Sequence, residues 1–219
     1  VQGNVQALTA GTDILIREGA NINTLAGEDG EAGVLVDQDA TDTTVILDGD
    51  NAADYVTNGF ESKATRSTLA FANFKGTKAV DFSFKGYSHL EAVEDSEVNL
   101  GEFDTADHAT ENQGITLTGD GTFVADRVTS TTGNTLTVGD GTDTTTLQVN
   151  ESLSTGNALT VSNLGTFAVN KDVVLTETAE GLAVKDGVGT TVNAGGTYQI
   201  IGLDSVDVTE LASLREGLM

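Results

Sequence analysis

The chain has 219 residues, enough to bury a sizeable core as one large β domain or two smaller ones. Its 34 Asp and Glu against 10 Lys and Arg leave a formal charge of -24, which repels nucleic-acid phosphates and anionic membranes and invites hard cations such as calcium. With no cysteine it has no disulfide, thiolate metal site or thiol nucleophile, and no apolar run approaches the roughly 18 residues of a membrane helix.

Proline is absent and glycine occurs 26 times, so Gly, Asn and Asp must make the turns. A cysteine-free chain rich in Asp, Thr, Gly and Asn and low in Lys is a composition common in bacterial surface and virion proteins, which sets the expected location as extracellular or virion surface. From Val1 onward there is neither the charged start nor the apolar core of a secretion signal, so a leader or propeptide already removed is the expectation.

In chain order, "DILIRE" (13–18), "GVLVDQ" (33–38) and "TTVILDG" (43–49) are strand candidates divided by Gly-rich acidic turns, with no phrase in common. "DGDNAAD" (48–54) sets Asp48, Asp50 and Asp54 around Asn51 in a tight loop, where alternate carboxylates could converge on calcium. The turn glycine and distal glutamate of a full EF-hand are not at the required offsets. "FESKATRSTLAFANF" (60–74) places Phe60, Ala64, Phe71 and Phe74 near helical spacing, while its threonines fit a strand equally. Both assignments stay open from the sequence.

Residues 1–60 carry eleven acidic side chains and one base, Arg17, and residues 86–126 carry ten acidic and no base. Between them, Lys63, Arg66, Lys75, Lys78 and Lys85 face only Glu61 and Asp81, so half of the positive charge lies in residues 61–85. This segment is expected either to dock on an acidic surface of a neighbouring copy or to neutralise the fold internally.

The two histidines, His89 and His108, have no spacing suited to zinc, and no Gly-x-Ser-x-Gly turn or phosphate-cradling glycine loop is present. Carboxylates are plentiful enough for paired-acid glycoside hydrolysis, but there is no tryptophan and only Tyr55, Tyr87 and Tyr198 to make a sugar platform.

From residue 112 the chain divides into rows. They run 119–138, 139–161, 162–184 and 185–201, and "NQGITLT" (112–118) ends an earlier one. "TGNTLTV" closes the first and "TGNALTV" the second. The row endings Leu136 and Val138, Leu159 and Val161, Leu182 and Val184, then Tyr198 and Ile200 set apolar residues two apart, on one face of a strand. Recurrence at this spacing predicts stacked copies of one β unit, each covering the apolar face of the next, and a β-sandwich with look-alike hairpins is the alternative. The "GDG" corners at 119–121 and 139–141 read as Asp-Gly hairpin turns. At the end, Asp207 as cap with Glu210, then Val208, Leu211 and Leu214 on one face before Gly217, predict a short C-terminal helix.

The phrases "TGNTLTV", "TGNALTV" and "AEGLAV", followed by "GDG", "SNLG" and "KDG", resemble the β-repeats of viral and bacteriophage fibres over residues 112–201. The resemblance implies a virion surface component, a fibre or capsid decoration, without activity of its own.

The expected fold is all-β: a Gly/Thr-rich solenoid-like or fibre-like repeat in 112–219 ending in the helix, and a β-rich acidic region in 1–111. The expected function is a non-enzymatic structural protein of a virion or cell exterior, a homo-oligomer or subunit of a larger assembly, with no nucleic acid and no membrane insertion. The alternatives are a calcium-binding secreted adhesin or S-layer or filament subunit, and a β-helical carbohydrate-active enzyme.

Overall fold

The computed structural model describes residues 14–17, 32–36, 38–40, 42–54, 56, 58–110, 113–130, 133–155, 159–161, 165–170, 174–177, 183–184, 188–192 and 197–201. Along the chain the strands run β1 (Ile14–Arg17), β2 (Val34–Val36), β3 (Thr43–Asp48), β4 (Phe60–Ser62), β5 (Ser67–Ala72), β6 (Lys75–Ala79), β7 (Phe84–Lys85), β8 (His89–Ala92) and β9 (Glu97–Asp104). A one-turn helix, α1 (Thr105–His108), is followed by β10 (Ile115–Thr118), β11 (Thr122–Ser130), β12 (Leu136–Val138), β13 (Thr146–Thr155), β14 (Leu159–Val161) and β15 (Thr166–Asn170). Then come β16 (Val174–Glu177), β17 (Ala183–Val184), β18 (Val188–Val192) and β19 (Thr197–Ile201).

These strands stack as the coils of a parallel β-solenoid. Nine form one sheet in the order β1-β3-β5-β8-β10-β12-β14-β18-β17, six form a second in the order β19-β15-β13-β11-β9-β6 with β16 also on β13, and β2-β4-β7 form a third. Among the described residues every pairing is parallel except β17 with β18. Side-chain hydrogen bonds from one coil to the next join residues 21 to 29 positions apart.

Alternation within each strand fixes which side chains enter the core, and parallel register lines them up from coil to coil. In the nine-stranded sheet, Ile14, Val45, Leu69, Leu90, Leu117, Val138, Val161 and Val192 share one register line. The first seven are buried, Ile14 at 5% exposure and the other six at 0%. Each contributes about 1.5–3 kcal/mol by leaving water. A second line of Val98, Phe123, Leu147 and Phe167 fills the core from the other large sheet. Phe60 and Phe84 stand in register in the small sheet, tied to the aromatic cluster by ring contacts with Phe82.

The small sheet stops at β7, and the later coils make their corner differently. β11 slips register against both neighbours between Ala125 and Arg127, and such a bulge bends a strand. β13 spans two positions at once: its first half pairs β15 and its second half β16.

Several expectations change here. Residues 60–74, left open between helix and strand by the sequence, hold the strands β4 and β5, with Phe60 and Phe71 pointing into the core from different sheets. The division at 111/112 marks no break in the nine-stranded sheet, because β8 on one side of it pairs β10 on the other. The "GDG" corners are not hairpins: each joins parallel strands of two different sheets. The predicted C-terminal helix and Leu182 lie outside the described residues.

Candidate functional site

The loop after β3 is where the candidate calcium ligands lie. Its backbone folds into successive tight turns, with the amides of Ala52, Asp54 and Val56 donating to the carbonyls of Gly49, Asn51 and Ala53. These turns send the three carboxylates to three separate partners on the next coil. Asp48 accepts from Asn73 Nδ2 at 2.6 Å and pairs with Arg17 at 3.5 Å. Asp50 accepts the Lys75 amide at 2.8 Å and the Thr77 hydroxyl. Asp54 pairs with Lys78, and that bond raises the Lys78 ammonium above its usual range against a small opposing effect of burial. Among the described residues no three His, Cys, Asp or Glu side chains are grouped to hold a metal. Asp48, Asp50 and Asp54 are thus held apart by partners on the next coil, Asp48 just before β6 and the other two along β6, the edge strand of its sheet, as a clamp. A polar hollow of about 500 Å³ remains beside it, lined by Arg17, Asp48, Asp50, Asn73, Lys75 and Thr77.

The basic segment is spread over several coils. Arg66 pairs with Asp42 at 3.6 Å, and Lys78 reaches Asp81 at 3.7 Å as well as Asp54. Lys85 stands in register with Glu61, and Lys63 donates its backbone amide to Val36 at 2.9 Å. Lys75 contributes its amide to the Asp50 clamp.

The residues of the repeated phrase sit on adjacent strands. Val138 lies in register with Val161, and Leu136, Val138, Leu159 and Val161 are all at most 1% exposed. Val184 lies on β17, antiparallel to the β18 that pairs β14.

Outside this core the nine-stranded sheet presents a rank that the sequence reading missed. Thr44, Thr68, His89, Thr116, Thr137 and Thr160 follow one another in register. The signal for it was the Thr between the Leu and Val of each "LTV". The other large sheet repeats the device with Thr122, Thr146 and Thr166. Burial and the Arg66 charge hold His89 below the usual imidazole range, and its Nδ1 lies 2.9 Å from the Ser88 hydroxyl.

Near that rank, burial and the charges of Asp143 and Asp140 raise the Glu91 carboxyl. Asp140 moves the other way: burial opposes its ionised form, but hydrogen bonds from the Thr142 hydroxyl and amide outweigh it. On the second sheet Arg127 bridges Glu102 at 3.3 Å and Glu151 at 3.1 Å, spanning three coils.

His108, at the end of α1, stacks on Phe84 with ring centres 3.9 Å apart and on Phe103 at 5.1 Å. Burial pushes its imidazole down, while the Phe84 carbonyl and the charges of Asp107 and Asp104 work against that shift.

Comparison with known protein families, curated proteins and solved structures returns no match.

Proposed function

We propose that the chain is a non-enzymatic structural protein of a virion or cell exterior, a fibre, capsid decoration or surface-layer component, that presents a rigid β surface and assembles with copies of itself. The unbroken aliphatic line from Ile14 to Val161 carries this reading: the interior is given over to the chain's own side chains, coil after coil. The outer ranks of threonine add a repetitive surface of the kind an assembly can present. Like charge opposes bringing copies together at low salt, so assembly should be favoured once that charge is screened.

Native mass measurement together with an image of the particle tests it. The expected result near physiological salt is a discrete particle several times the 22.5 kDa chain mass. A 22.5 kDa monomer that persists at high concentration and high salt would sink the proposal.

A further inference from the structure

We propose that α1 is an acid-released cap on the open edge of the three-stranded sheet, with His108 as the group whose protonation loosens it. This regulation goes beyond the structural role above and does not depend on it.

The geometry is that of a strand replaced by a plug. His108 lies 24 positions after Phe84 and occupies the rung that a fourth strand of the small sheet would fill. Its ring lies within 11° of parallel to Phe84 and 10° to Phe103. Three polar groups along that edge are answered by α1 and the segment after it. His108 Nδ1–H donates to the Phe84 carbonyl at 3.0 Å, the Gly86 amide donates to the His108 carbonyl at 2.8 Å, and Gln113 Nε2 donates to the Gly86 carbonyl at 3.0 Å. An edge left without such partners is a template for pairing with another chain. The start of the helix is anchored separately: Asp104 accepts the Ala106 amide at 2.9 Å, and the Thr105 hydroxyl donates to the Asn134 carbonyl at 3.3 Å. Release therefore frees the His108 end and leaves the start in place.

Protonation charges a ring stacked against two phenyl groups. Burial disfavours the charged ring and outweighs the Phe84 carbonyl, Asp107 and Asp104, which favour it. The other charged side chains on the elements packed around α1 are Lys85 on β7, Glu97 and Glu102 on β9, and Asp126 and Arg127 on β11. Because the folded imidazole titrates below its unfolded value of about 6.5, the unfolded or undocked chain binds more protons between those two values. Docking is then at full strength above about pH 6.5 and weakens as the pH falls through that window.

Amide hydrogen exchange on the whole chain tests this, with the Gly86 protection factor taken relative to Leu90 in the nine-stranded sheet. Between about pH 7.5 and about pH 5.0 the ratio should fall several-fold. His108→Gln and His108→Phe, the second keeping an aromatic ring in the stack, should both give a flat ratio. His89→Gln, which removes the other histidine, should keep the fall. A flat ratio in the unaltered chain, or a fall that survives in both His108 variants, overturns the proposal.

Discussion

A Cβ added at Gly59 would stand 1.9 Å from the Ser83 carbonyl oxygen, and one at Gly119 would stand 2.3 Å from that of Ala92. Both glycines also hold a positive φ, 67° and 87°, so alanine there meets backbone on one side and left-handed strain on the other. Gly59→Ala and Gly119→Ala should each cost about 1–3 kcal/mol in a denaturant titration. The corners after β3, β5, β8, β10 and β12 of the nine-stranded sheet repeat a left-handed backbone with different residues: Gly49, Asn73, Glu94, Gly119 and Gly139. Glu94 and its neighbour Asp95, both at φ 37°, are the members badly suited to it. Glu94→Gly should therefore gain about 1 kcal/mol in the same assay. At this scale the sequence was half legible. Gly119 and Gly139 declared turns, but Asn73 and Glu94 gave no sign of taking the same conformation, because their side chains resemble any polar surface residue.

Leu159 tests the stack at the scale of the strand. It is 1% exposed on β14, which is paired on both sides, so Leu159→Asp buries an unpartnered carboxylate and should cost about 3–5 kcal/mol. Thr160→Asp, one residue along on the outer rank, should cost under about 1 kcal/mol. Equal losses of melting temperature in the two variants would mean that inside and outside have been assigned wrongly. β12 and β14 were readable because "LTV" recurs word for word. The earlier coils hid because Val45, Leu69 and Leu90 share a register line but belong to strands with unlike neighbours. The loop at 48–54 misled for a related reason: carboxylates that bind a cation and carboxylates that cap a strand edge have the same spacing, and only Lys75, Thr77 and Lys78 on the next coil distinguish them.

Across the molecule, the net charge of -24 is spread along a stack whose coils lie about 4.8 Å apart, so like charges meet at short range throughout. Raising NaCl from about 0.1 M to about 1 M shortens the Debye length from about 10 Å to about 3 Å, and the melting temperature should rise with it. Calcium at matched ionic strength should give the same rise if Asp48, Asp50 and Asp54 act as the clamp described. An additional calcium-specific increase would restore them as ligands. The change from separate short strands to the bulged β11 and two-position β13 also limits how such a chain can grow. A tandem duplication within the stretch from β10 to β14 would meet matching perimeters at both seams. One inserted beside α1 would have to join a coil walled on three sides to one that turns its corner within a single strand. Length variation among descendants of this gene should therefore accumulate after α1 and spare the junction itself.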